Sequence, residues 1–225
     1  MITYNKKVCI KKMMIFAILC LINLLLISII YMQLFLFGNK NNPDSSLIFD
    51  GLSLCCCAFL LLMLTIISKK EQLYIWESFN SLKIVPKFVG LALLLGLVWQ
   101  LLIVGISYLG TVSYPHATQL PQIGIVLFHL FCFAILTPIA EELIFRKWLI
   151  DMMRRANFSV PIIIMTSSVL FFVCHLGYSF LRIDTLIGGV FLCILYLKSG
   201  DIRYPIIAPA LNNTLATLFS YAYCL

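Results

Sequence analysis

Long apolar stretches alternate with short polar or basic ones along the whole chain. The apolar runs cover about Met13 to Phe37, Leu47 to Ile67, Phe88 to Gly110, Gln122 to Met153, Pro161 to Leu181, Ile183 to Leu197 and Tyr204 to Tyr223. A helix needs roughly 20 such residues to cross a hydrocarbon core about 30 Å thick. A helix also satisfies its own backbone hydrogen bonds, which lipid cannot do. The pattern therefore predicts an all-α fold, a polytopic membrane helix bundle of about seven transmembrane helices. The first run is too long for a secretory signal, whose apolar core has about 7–15 residues, and it reads as an uncleaved span. The fourth has room for about 48 Å of helix at 1.5 Å per residue, so it is expected to tilt, kink at Pro138 or emerge before Arg154 and Arg155.

Ser68 to Lys87 is neither span nor simple turn. Leu73, Trp76, Phe79, Leu82 and Val85 recur every third residue, flanked by Lys69, Lys70, Lys83 and Lys87. That spacing predicts a cytoplasmic interfacial helix with its apolar face toward lipid, and a loop with scattered anchors is the alternative.

Composition agrees with the membrane reading. The 225 residues are 62% hydrophobic and 11% charged, with a mean hydropathy of +1.05. Residues 1–225 are read as a single membrane domain, in which 1–121 supplies generic N-terminal spans. The formal net charge of +7 does not indicate nucleic-acid binding, because the basic residues fall in alternate loops and not on one soluble face. With the N-terminus cytoplasmic and the C-terminus outside, 14 of the 16 Lys and Arg residues lie on or near the inner side; Lys40 and Arg182 are the exceptions. The positive-inside rule selects that orientation. Nine cysteines lie almost wholly in apolar runs without the paired spacing of a zinc site or disulfide framework.

Against this background Thr137-Pro138-Ile139-Ala140-Glu141-Glu142-Leu143-Ile144-Phe145-Arg146 stands out. A charge at bilayer depth costs about 2.5–3.5 kcal/mol on insertion scales, and such residues mark functional sites by default. Glu142 and Arg146 stand four apart with the acid first, the favourable order for a helical ion pair. Glu141, about 100° round the helix, is left as the candidate catalytic carboxylate. His175 and Asn213 reach a similar layer from other spans. Counted from the cytoplasmic ends of their helices, the three lie about 20, 21 and 14 Å in. His129, about 18 Å from Glu141 along the same helix, cannot join them, and His116 falls in the outer loop. Alone, His175 is more simply a satisfied buried histidine, and Asn212 and Asn213 are more simply packing glue between helices.

Together these pieces resemble the CAAX-protease and bacteriocin-processing (Abi, CPBP) family of intramembrane peptidases. The family pattern is Glu-Glu-x-x-x-Arg, then Phe-x-x-x-His, then His-x-x-x-Asn or Asp. Glu141, Glu142 and Arg146 match the first motif, Phe171 and His175 the second, and Asn213 the end of the third. The resemblance covers residues 122–219, the family-like catalytic core, and departs at Pro209, where the family has its third-motif histidine. It implies that Glu141 acts as general base, that His175 orients the water, and that Asn213, assisted by Asn212, donates to the oxyanion. One histidine, carboxylates and an amide make a poor zinc set, so a metal-free route is expected and no cofactor is assigned.

The implied function is an intramembrane endopeptidase of a bacterial cell membrane, cleaving a peptide or a membrane-associated protein segment. Bacteriocin immunity and maturation of signalling peptides are the roles of bacterial relatives. A non-catalytic member that binds a partner as scaffold or immunity protein is the main alternative, supported by Pro209. A transporter or proton relay is a further alternative, since intramembrane carboxylates also mark such pathways.

Overall fold

The computed structural model describes residues 5–19, 44–70, 72–73, 75–80, 83–108, 122–175 and 183–222. Among them the fold is all helical. The helices are α1 (residues 6–19), α2 (Asp44–Lys70), α3 (Pro86–Tyr108), α4 (Ile123–Arg155), α5 (Val160–Val173), α6 (Ile183–Ser199) and α7 (Arg203–Ala222). The rest of the first apolar run, the polar turn after it as far as residue 43, the loop holding His116 and the end of the fifth run lie outside the described residues. By length and composition, α3 and α4 can each cross a membrane, whereas α5 is a shorter apolar helix.

No continuous interfacial helix forms between α2 and α3 among the described residues. The segment holds one short 3-10 turn, Glu77–Asn80, and extended backbone at 83–85. Of the residues in the three-residue period, Leu73 is buried and Trp76, Phe79 and Val85 are exposed, while Leu82 lies outside the described residues. Local bonds account for the difference. Gln72 adopts a left-handed φ of 53°, its carbonyl accepts from Arg155 Nη2 at 2.7 Å, and Trp76 Nε1 donates to Thr65 Oγ1 at 3.0 Å. The stretch is a loop docked on the end of α2.

The bundle is assembled around the second half of α4. Along its first half, Ile123, Leu127, Phe131 and Ile135 form an exposed stripe at four-residue spacing. From Leu143 to Met153 nearly every side chain is buried, so the helix passes from the rim into the centre. Phe16 of α1 packs on Phe145 and Trp148 with ring centroids 5.9 and 5.3 Å away. On the other side, Ser167 of α5 donates to the Phe145 carbonyl at 2.8 Å.

Helices α3 and α7 run parallel. The Val85 N–H donates to Tyr204 Oη at 2.7 Å where both begin, and farther along Gly96 meets Ala208 and Leu211. A Cβ at Gly96 would come within 2.7 Å of the Ala208 carbonyl oxygen, so the close approach needs glycine. Leu93, Leu94, Leu97 and Leu101 cover the opposite, outward side of α3, an apolar surface suited to lipid.

Candidate active site

The site begins with an irregularity in α4. Two π-helical stretches, Phe131–Leu136 and Leu143–Trp148, flank the α-helical turn Thr137–Glu142 that carries the acidic pair. Pro138 accounts for the first. It has no N–H to give and its ring crowds the preceding turn. The Thr137 N–H bonds to the Cys132 carbonyl, five residues back. The widened register aims the Phe133 carbonyl at Pro138, which cannot answer. In the second stretch the Leu149 N–H goes to Ile144, so Phe145 also loses its α-helical partner. The expected disturbance at Pro138 is thus a change of helical register within one continuous helix. Such insertions are frequent at functional sites.

Glu141 and His175 come together. Glu141 Oε1 lies 3.5 Å from His175 Nε2, with the two side chains 21% and 20% exposed. His175 sits just beyond the last turn of α5, and its Nδ1 is 2.7 Å from the Phe171 carbonyl. A carbonyl only accepts, so Nδ1 carries the hydrogen of that bond. Nε2 therefore faces the carboxylate with a lone pair in the neutral ring, or with a second hydrogen in the imidazolium. The pair can share a proton, or bind one water from the same side, and neither side chain is fully buried.

Glu142 and Arg146 pair as their spacing predicts, with Nη1 to Oε1 at 2.8 Å and both side chains fully buried. Arg146 Nη2 also lies 3.5 Å from the Gly189 carbonyl. Its guanidinium stacks 4.3 Å from the Phe171 ring centroid. Phe171 is thereby a junction: its ring also meets His175 at 4.4 Å and Phe145 edge-on at 5.3 Å. One buried aromatic covers the structural ion pair, supports the imidazole and supplies the carbonyl that orients it.

Asn213 is engaged elsewhere on α4. Its Nδ2 donates to the Phe133 carbonyl at 2.7 Å, the acceptor left over by the π-turn and Pro138. Phe133 precedes Glu141 by eight residues, about 12 Å of helix. Among the described residues Asn213 makes no hydrogen bond to Glu141 or His175. Asn212 is buried and donates to Asn213 Oδ1 at 3.3 Å. Pro209 is buried inside α7, one turn before Asn213. His129 packs on Phe133 with ring centroids 4.5 Å apart, on the same α4 turn that receives Asn213.

Two neighbours were not singled out from the sequence. Trp99 of α3 donates through Nε1 to Asp184 Oδ2 at 3.1 Å and packs on Phe171 at 6.5 Å between centroids. Gln100, only 2% exposed, points into the bundle. The signal for Gln100 was present, since it is the sole carboxamide or charged residue between Phe88 and Gly110.

Among the described residues, no group of three or more His, Cys, Asp and Glu side chains is placed to hold a metal ion. Glu142 is committed to Arg146, and His175 Nδ1 to Phe171. One carboxylate and one ring nitrogen remain, short of the three protein ligands usual at a catalytic zinc.

Neither the curated proteins nor the solved structures gave a match to this chain. A family model described as type II CAAX prenyl endopeptidase Rce1-like matches residues 123–215. Glu141, Glu142, Arg146, Phe171, His175 and Asn213 all fall inside that match, and the helical core that carries them is similar to this family of CAAX endopeptidases.

Proposed function

We propose that the chain is an intramembrane endopeptidase of a bacterial cell membrane, with seven spans and a cytoplasmic N-terminus. Its substrate is a peptide or a membrane-associated protein segment, and bacteriocin immunity or maturation of a signal peptide is its setting. The observation that carries this reading is the approach of Glu141 to His175 from two helices, with the imidazole oriented by Phe171.

In this reading Glu141 and His175 bind one water from the same side. Glu141 takes its proton as the hydroxide oxygen bonds to the scissile carbonyl carbon. The carbonyl oxygen becomes an oxyanion, and the second hydrogen of Asn213 Nδ2 is a donor for it. The C–N bond then breaks, and Glu141 returns its proton to the leaving amine. Arg146 and Glu142 neutralise each other beneath the site and hold α4 in place.

Pro209 and the commitment of Asn213 to Phe133 favour a second reading, a non-catalytic member that acts by binding a membrane partner. Wild type, Glu141→Ala, His175→Ala and Pro209→His, compared for phenotype and for cleavage of candidate peptides, separate the two. A peptidase loses both in the first two variants. Phenotype retained in well-folded Glu141→Ala and His175→Ala overturns the peptidase reading.

A further inference from the structure

Gln100 has no hydrogen-bond partner among the described residues for either amide atom, and the Oδ1 of Asn212 has none either. Both side chains are more than nine-tenths buried. Buried polar groups in folded proteins are nearly always paired with protein or ordered water, so the orphaned atoms of Gln100 and Asn212 call for an explanation.

Their placement on the parallel pair α3 and α7 supplies one. Gln100 is four residues beyond Gly96, on the same face of α3. Gly96 abuts Ala208 and Leu211. Asn212 is four residues beyond Ala208 and adjacent to Leu211. Parallel helices that touch at Gly96 and Ala208 bring Gln100 and Asn212 to one level a turn later. Gln100 offers a donor and an acceptor, Asn212 Oδ1 is an acceptor, and a water can serve them all.

We infer that Gln100 is a positioning residue: through a shared buried water it sets Asn212, which in turn sets Asn213. Asn212 Nδ2 already donates to Asn213 Oδ1, and Asn213 Nδ2 to the Phe133 carbonyl. A donor from Gln100's side on Asn212 Oδ1 fixes which end of the Asn212 amide faces Asn213. That choice directs the Asn213 NH2 group, with its second hydrogen, toward the site wall. The relay stands beside Pro209 and gives the surviving amide a fixed aim in the absence of the family histidine. Its catalytic consequence rests on the peptidase reading; its geometry does not.

The test uses the full chain in nanodiscs, with the Asn213 side-chain amide resonance identified by its loss in Asn213→Asp. Gln100→Met and Asn212→Leu are each expected to shift that resonance, and a Leu97→Val control is not. In thermal unfolding, the Gln100→Met/Asn212→Leu double variant is expected to lose less than the sum of the single losses, because both act on one network. Gln100→Leu, of similar size with neither donor nor acceptor, serves if Gln100→Met does not fold. On a cleaved peptide, either Gln100 variant is expected to lower kcat at least tenfold with KM within twofold. An unmoved Asn213 resonance with additive melting losses overturns the relay, whatever the activity. Coupled resonances in a protein that shows no Glu141-dependent cleavage uphold the relay and reject the peptidase reading alone.

Discussion

Asn213 Nδ2 donates to the Phe133 carbonyl at 2.7 Å, filling the acceptor that Pro138 leaves without an N–H. Asn213 and the proline of the Thr137–Arg146 stretch are therefore two halves of one local solution. A proline placed before the acidic pair disturbs the helical register, and an amide from α7 takes up the freed carbonyl.

A double-variant experiment follows from that bond. Asn213→Leu removes the hydrogen bond to the Phe133 carbonyl, a loss of about 0.5–1.5 kcal/mol. Adding Pro138→Ala supplies a backbone N–H within the same turn, so the Asn213→Leu/Pro138→Ala protein is expected to recover part of the lost thermal stability. Melting of the purified proteins in one detergent measures both.

The two adjacent glutamates are expected to behave oppositely. Glu142→Gln leaves the fully buried Arg146 without its counter-charge, which costs about 3–5 kcal/mol. The double variant Glu142→Leu/Arg146→Met is expected to melt above either single variant, since no buried charge is left alone. Glu141→Gln should melt near wild type, yet lose about 10²–10⁴ in cleavage rate through loss of the base. Melting curves and initial rates on the same preparations decide this.

Phe171 is expected to couple stability to activity. Phe171→Ala removes a side chain that is 1% exposed, at a cost of about 3–5 kcal/mol. Phe171→Leu keeps the backbone carbonyl that orients His175 but withdraws the ring from Arg146 and the imidazole. Its cleavage rate is expected to fall more than its melting temperature suggests, which a comparison with Phe145→Leu checks.

The close contacts of α3 make a fourth set. Gly96→Ala drives a Cβ to 2.7 Å from a backbone oxygen, and Gly188→Ala drives one to 2.8 Å from the Trp99 ring. Overpacking of this kind costs about 1–3 kcal/mol. Gly90→Ala meets nothing within 4 Å, and with the entropy of glycine removed it is expected to gain about 0.5–1 kcal/mol. Thermal shift on the three variants reads the order directly.

The donor set at Glu141 and His175 bears on metal. Cleavage is expected to persist after extended incubation with a strong chelator and removal of the complex by desalting. Loss of activity restored by zinc alone would overturn the metal-free route.

Much of the helical order is legible in the sequence. The apolar runs locate α2, α3, α4 and α6 to within a few residues, because a long apolar run folds as a helix that satisfies its own backbone. The Glu142–Arg146 bond followed from four-residue spacing alone. For the segment after α2 the sequence left an interfacial helix and a loop with scattered anchors open, and hydrogen bonds to Thr65 and Arg155 hold it as the loop.

The site divides in the same way. The order of motifs named Glu141, His175 and Asn213, and charge in an apolar run was enough to mark the acidic pair, since covalent spacing and solvation costs are properties of the chain itself. That His175 reaches Glu141, that Phe171 braces both imidazole and guanidinium, and that Asn213 bonds Phe133 instead are decided by which helices touch and at what rotation. Those depend on close approaches such as Gly96 on Ala208 and on the register change at Pro138. Both arise from steric fit between segments far apart in the chain, which one-dimensional spacing does not encode.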